Sequence, residues 1–154
     1  MNLTTIEPGP AREAYVPLLM LADDSDQQVR SYLQEGIPFV AQLDGHDVCA
    51  TLAIPTDLDT LELRAVAVDP RRQQQGVGKQ MLALVPAGLE SRGYARTTVG
   101  TGNSSIAQIA FYQKSGSRRW AIERDYFTPE KGYPDGLEEN GVPLRDMIWF
   151  ERTN

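Results

Sequence analysis

The chain has 154 residues with 15 basic and 21 acidic side chains, a formal charge of −6, one cysteine and one histidine. Neither an internal disulfide nor a histidine-rich metal site can be built around Cys49 or His46, and a chain of this length buries about two-thirds of its unfolded surface without such staples. A hydrophobic content of 41% with 23% charged residues excludes intrinsic disorder, while a pI near 4.8 argues against a general nucleic-acid backbone binder and leaves room for a local basic patch holding one polyanionic small molecule.

No apolar run approaches the roughly 20 residues of a membrane helix, and the amino terminus reads as neither a basic leader nor a signal core, so a soluble cytoplasmic protein is expected. Pro8-Gly9-Pro10 introduces a helical segment over 11–22, limited or bent at Pro17 because proline removes a helix donor. Ser25-Asp26-Gln27-Gln28 has capping-box spacing, and Val29, Tyr32 and Leu33 supply the apolar face of a second helix ending near Gly36. Strands are expected over 37–43 and 47–54, joined as a hairpin at Asp44-Gly45. After a turn at 55–59, the run from Leu61 to Val68 alternates and then becomes continuously apolar, which fits a central strand emerging on a functional edge or plain core. A long helix over 76–92 places Val77, Met81, Val85 and Leu89 on one face, with Pro86 bending or shortening it. Residues 96–101 return as a strand and 104–115 as a helix with Gly116 as its C-cap. Two late strands, 117–127 and 144–152, flank a loop rich in glycine, proline and acidic residues. The order α-α-β-β-β-α-β-α-β-β specifies an α/β protein, a mixed sheet covered by helices in one domain over 1–154.

The segment from Val66 to Lys79 is the most informative in the chain. A strand passes through a tight turn into a helix start, where free amide hydrogens and the helix dipole can receive a pyrophosphate. Gly76 and Gly78 permit a backbone approach that a Cβ obstructs. A dinucleotide fingerprint starting at Gly76 fails at Met81, and a P-loop ending at Gly78-Lys79 fails at Gln73 and Gln80. Two glycines around a helix start are also compatible with a purely structural turn.

Val68-Asp69-Pro70 followed by Gln73-Gln74-Gln75-Gly76-Val77-Gly78, and later Asn103, Ser104, Ala107, Ala110, Phe111, Tyr112, Lys114 and Gly116, resemble the signature segments of the GCN5-related N-acetyltransferase (GNAT) superfamily. The resemblance extends across nearly the whole domain; Ser117 departs from it where the family usually carries an aromatic residue. It implies the GNAT-like acyl-CoA N-acyltransferase fold, with a central mixed sheet flanked by helices, acetyl-coenzyme A (acetyl-CoA) as cosubstrate, and no metal. It further implies that the main chain of Val66, Ala67 and Val68 pairs with the pantetheine amides and that Gln74, Gln75, Gly76, Val77, Gly78 and Lys79 form an amide nest for the pyrophosphate. Gln73, Asn103, Ala107 and Tyr112 are the other donor contacts so implied. Arg71, Arg72 and Lys114 either neighbour the ribose phosphate or simply solvate a face.

Acetyl transfer to an amine requires a neutral nucleophile, stabilisation of charge on the thioester oxygen, and often protonation of the departing thiolate. In the family the central strand opens from its parallel neighbour, which here implies a gap between the strands holding Leu63 to Val68 and Arg96 to Thr101. The Val66 amide is then the oxyanion candidate, and a bulge would aim it. Tyr112 is the leading side-chain candidate, as proton donor to the thiolate, the alternative being a core tyrosine with a polar tip. Glu62 stands where many family members carry a general base acting directly or through water; the alternatives are a pair with Arg64 on the same strand face and proton collection by water alone. Asn103 can also cap the helix that follows it. His46 and Cys49 lack the partner array for covalent catalysis.

For the acceptor, Trp120, Glu123, Asp125, Tyr126 and Phe127, followed by Glu130, Asp135, Glu138 and Glu139, either receive an amine with an apolar body or form a packed edge beside an acidic surface. The expected activity is N-acetylation of a primary amine, that of a small molecule before that of a protein or peptide. A non-catalytic CoA-binding sensor is the reading of a different class. A homodimer using the late strands is expected, with no nucleic-acid or membrane partner.

Overall fold

The structure, a computed structural model, describes residues 1–22 and 26–153. The expected capping box beginning at Ser25 lies outside the described residues. The backbone divides into two compact units, 1–97 and 98–153.

In the first unit, β1 (Asn2–Thr5), β2 (Ile37–Leu43), β3 (His46–Pro55) and β4 (Thr60–Val68) pair antiparallel in that order. Strand β1 is an addition to the expected order: its short, mostly polar sequence has no strand periodicity, and pairing from Asn2↔Gln42 to Thr5↔Phe39 makes it a strand. The β2–β3 turn is where the sequence puts it, with Asp44 at φ 52 and Gly45 at φ 78, the left-handed pair that a two-residue hairpin requires.

The helical segment expected over 11–22 is a 3-10 turn, Pro10–Tyr15, followed by one short helix, α1 (Val16–Leu19). Pro17 lies in the first turn of α1, where its missing N–H would have no helical partner anyway. It starts the helix instead of bending it. Helices α2 (Asp26–Tyr32) and α3 (Val77–Glu90) complete the unit. Pro86 lies inside α3 and is buried, and the helix continues through it to Glu90 without being shortened.

Strand alternation distributes the core over both faces of the sheet. Val40 packs in a cluster with Val16, Leu19, Val29, Tyr32, Leu33 and Leu52. Its neighbour Phe39 points the other way, toward α3, where a Cβ on Gly88 would stand 3.1 Å from the Phe39 ring. Arg12 is buried, with its guanidinium donating to the carbonyls of Leu33 at 2.7 Å, Gly36 at 2.8 Å, Glu7 at 3.2 Å and Ile6 at 2.9 and 3.2 Å. Burial lowers its pKa, and the carbonyls take the place of water around the charge.

The second unit holds a sheet in the order β5-β9-β6, from β5 (Arg96–Gly102, entering this unit at Thr98), β6 (Arg118–Glu123) and β9 (Met147–Thr153). A small hairpin, β7 (Glu138–Glu139) with β8 (Val142–Pro143), lies within the stretch expected as a loop. Strand β6 ends at Glu123, so Tyr126 and Phe127 are not strand residues. Helix α4 (Ile106–Lys114) ends on Gly116 at φ 94, whose amide and that of Ser117 donate to the carbonyls of Gln113 and Tyr112. This is the expected left-handed C-cap. The expected helix cap at Asn103 is corrected: Ser105 is the N-cap residue of α4, and the Asn103 side chain turns to residues 143–146.

Candidate active site

In the first unit β4 carries a bulge. Ala50 pairs with Ala67 and Leu52 with Arg64, so Thr51 alone stands opposite both Ala65 and Val66. Ala65 carries the extra residue at φ 56, a left-handed conformation rare for alanine inside a strand. Thr51 is buried, and its hydroxyl donates to the Arg64 carbonyl at 3.3 Å, tying the β3 side to the start of the bulge. Strand periodicity left the bulge open, and here it takes the Val66 amide out of the regular ladder with β3.

Glu62, two residues before Arg64, forms the ion pair considered as its structural alternative. Arg64 donates to the two carboxylate oxygens at 3.0 and 2.7 Å, and its guanidinium carbon lies 5.2 Å from the centroid of the Tyr32 ring. The Glu62 side chain is only 15% exposed against 40% for Arg64, so the carboxylate is the sheltered partner. An ionised carboxylate has about four acceptor sites, and Arg64 uses two of them.

Beyond β4, Asp69 closes the turn. Its carboxylate accepts from the Arg71 amide at 2.9 Å and from the Arg71 guanidinium at 3.2 and 2.8 Å, which brings its pKa down to about 2. Arg71 is thus exposed but folded back on Asp69. Gln73 and Gln75 donate through their side-chain amides to the carbonyls of Val68 and Arg71, at 3.2 and 3.1 Å. These glutamines brace the turn. Gln74 at φ 61 and Gly76 at φ 79 are left-handed and follow extended Gln73, a turn of the kind in which successive amides can form an anion nest. Val77, Gly78 and Lys79 form the first turn of α3, and the Gln80 amide is the first to donate back, to the Gly76 carbonyl at 3.0 Å. The three amides before it have no carbonyl within the helix to meet. A diphosphate-bearing carrier fits such a surface, since neutral dipoles hold its charge in an acidic chain and nothing lies within 4 Å of a Cβ built on Gly76.

In the second unit Tyr112 stands on α4. It is 7% exposed, between the rings of Phe111 at 5.2 Å and Phe150 at 5.7 Å, and burial pushes its phenol up to about 12. Ala107 and Lys114 lie on the exposed side of the same helix. Asn103 precedes it, bonded to Pro143, Arg145 and Asp146. Of the acceptor candidates, Tyr126 and Phe127 pack with Tyr133, the Phe127 ring 5.0 Å from each of the other two, and the Lys131 ammonium sits 4.9 Å from the Tyr126 centroid. Glu123 accepts from the Trp149 indole at 3.2 Å. Trp120 is 49% exposed on β6, and Asp125, Glu130, Asp135, Glu138 and Glu139 are exposed.

Sequence reasoning missed Thr51, Tyr133 and the β7–β8 hairpin. Asn140-Gly141, at φ 55 and 73, was a usable hairpin signal, whereas nothing local marks Thr51. His46 is an exposed hairpin residue; Cys49 is buried, its thiol pushed up to about 12, so it supplies no thiolate. Among the described residues no group of three or more His, Cys, Asp or Glu side chains is placed to hold a metal ion, and no helix is long and apolar enough to cross a membrane.

In the first unit a strand bulge and a helix start offer amides, and in the second a buried phenol keeps its proton; each is a kind of group that acyl-transfer chemistry uses. The chain belongs to the GNAT acetyltransferase superfamily: residues 34–116 match the family described as acetyltransferase (GNAT) domain. It is an acetyl-CoA-dependent acetyltransferase with the mixed α/β architecture of that superfamily, a central mixed sheet flanked by helices. Among its relatives is the Bacillus subtilis N-acetyltransferase YvbK, 35% identical over 131 residues, which are 85% of this chain and 83% of that protein. Among solved structures, an acetyltransferase of Bacillus subtilis in complex with CoA is 31% identical with a TM-score of 0.87, over 99% of this chain and 98% of that one. An IAA acetyltransferase from Bacillus cereus is 35% identical with a TM-score of 0.84, over 99% of both chains.

Proposed function

We propose that residues 1–154 act as one N-acetyltransferase domain, in a cytoplasmic homodimer, that acetylates the primary amine of a small molecule by direct attack on acetyl-CoA. The observation that carries this reading is the bulge of β4, which turns the Val66 amide out of the ladder next to the diphosphate-binding turn. The amides from Gln74 to Lys79 hold the pyrophosphate, and CoA is the ligand named for the Bacillus subtilis neighbour. Ala67 and Val68 offer main chain to the pantetheine, and Val66 donates to the thioester oxygen as charge builds on it. As the amine nitrogen forms its bond to the acetyl carbon and the C–S bond breaks, Glu62 takes the amine proton directly or through water, and Tyr112 gives its proton to the sulfur. Arg64 holds Glu62 in one orientation while leaving acceptor sites on its carboxylate.

Glu62→Gln is expected to lower kcat/KM about 10²-fold. An unchanged kcat/KM assigns proton collection to water.

For the acceptor, exposed Trp120 and the Tyr126–Phe127–Tyr133 cluster supply apolar surface, and Glu123, Asp125, Glu130, Asp135 and Glu138 attract an ammonium during encounter. Steering suits these carboxylates better than clamping, because a tight ion pair keeps the nitrogen protonated and unreactive. A screen of polyamines, aromatic amines, aminoglycoside-like amines, amino acids and lysine peptides, following free thiol and acetylated mass, is expected to favour small amines with an apolar portion. Preference for peptides would transfer the reading to the kind of acceptor named for the Escherichia coli ribosomal-protein bS18 alanine N-acetyltransferase, 35% identical over 52% of this chain. Tight donor binding without turnover would support the sensor reading. The edge strand β6, with Trp120 and Ile122 exposed, is the surface offered to a second copy, and a monomer mass in sedimentation across micromolar concentrations would reject the dimer.

A further inference from the structure

We infer that Asn103 is a positioning residue for the acceptor, holding the segment 125–146 against the start of the helix that carries Tyr112; this rests on the reading of that segment as acceptor wall. The Asn103 side-chain oxygen accepts from the backbone amides of Arg145 at 2.8 Å and Asp146 at 2.9 Å. Its amide nitrogen donates to the Pro143 carbonyl at 2.9 Å, and its own backbone N–H donates to the Asp146 carbonyl at 2.9 Å. Both lone pairs of the side-chain oxygen and one of two side-chain N–H groups are therefore committed to the late loop. A single N–H is left for any direct contact with the donor.

The strip 143–146 held in this way carries Phe127. The Arg145 carbonyl accepts from the Phe127 amide at 3.0 Å, the Asp146 carboxylate from the Asp125 amide at 3.0 Å, and the Leu137 carbonyl from the Leu144 amide at 2.9 Å. The Leu144 side chain closes over Gly102, where a Cβ would meet its Cδ1 and stand 3.7 Å from the Phe127 ring. The β7–β8 hairpin has its own anchor, since the Glu139 carboxylate accepts from the Ser105 hydroxyl at 2.8 Å and the Asn140 side chain donates to the Ser104 carbonyl at 2.9 Å. Asn103 and Glu139 thus fix the two ends of the β7–β8 stretch to one corner of the fold, and the Asn103 end carries Phe127. Its influence on the amine runs through the loop.

The test uses the full chain with acetyl-CoA and phenethylamine. Asn103→Ala is expected to raise hydrogen exchange at the Arg145 and Asp146 amides and the KM for phenethylamine about tenfold each, with the acetyl-CoA Kd followed in parallel by calorimetry. Asn103→Asp keeps the two accepting interactions and is expected to restore most of both. Unchanged exchange at those amides overturns the clamp, and a weakened acetyl-CoA Kd with unchanged amine KM overturns the role by returning Asn103 to the donor. Phe127→Leu separates the two levels of the argument. A raised amine KM for Phe127→Leu but not for Asn103→Ala rejects the inference alone, whereas unchanged KM for both rejects the reading of the segment as acceptor wall.

Discussion

Tyr112→Phe is expected to lower the rate of the chemical step about 10²-fold or more while leaving the acetyl-CoA Kd within a few-fold. The ring is buried between Phe111 and Phe150, so phenylalanine keeps the packing and loses only the hydroxyl. On the proposed mechanism, what is lost is the proton for the departing thiolate. Burial pushes the phenol up to about 12, so it is protonated throughout the neutral range and available as an acid. A raised folded pKa favours the fold below the unfolded value near 10 and ceases to do so as pH climbs through about 12. Tyr112 therefore contributes no limb to the pH–rate profile below about pH 10, and any limb at neutral pH belongs to another group. Rapid-quench single turnovers are the measurement, since slow product release hides a slower chemical step at steady state. An unchanged chemical step would remove Tyr112 from the mechanism and return it to the core.

Gly76→Val is expected to weaken acetyl-CoA binding at least about tenfold with the folded spectrum retained. Two effects have to be separated. Gly76 is at φ 79, so any side chain costs roughly 1–2 kcal/mol in backbone strain, a fraction of the roughly 5–15 kcal/mol that holds a domain together. A new Cβ meets no protein atom within 4 Å, so the added bulk stands on the open side of the amide array and not in the core. Gly93→Val is the control, because Gly93 also has a positive φ, of 88, and open space around its Cβ, but lies at the end of α3. Calorimetric titration should find donor affinity lost in Gly76→Val and kept in Gly93→Val. Equal affinities in the two variants would place the diphosphate elsewhere.

Several features were legible because their causes are local. The Asp44-Gly45 hairpin, the four-residue spacing of Val77, Met81, Val85 and Leu89, the Gly116 cap and the glycine-bounded turn after β4 each depend on a few consecutive residues. Pro17 and Pro86 were legible only as perturbations. What each does depends on its place in the helix and on the packing around it: one begins α1, and the other lies buried inside α3.

The sequence by itself determined the family, the order of most elements and the turn able to hold a diphosphate, since backbone preference and apolar periodicity act over a few residues. The tertiary structure decided which partner each polar group meets. The pairing of Glu62 with Arg64 was one alternative in the sequence, and folding made it while setting Arg64 over the Tyr32 ring. The bulge at Ala65 exists because Thr51, on another strand, faces two residues. Arg12 is buried because carbonyls from Ile6 to Gly36 converge on it, and Asn103 ceases to be a helix cap because residues 143–146 arrive beside it. A buried donor or acceptor must find a partner, and that partner is supplied by whichever distant segment the fold brings near, which no local pattern contains.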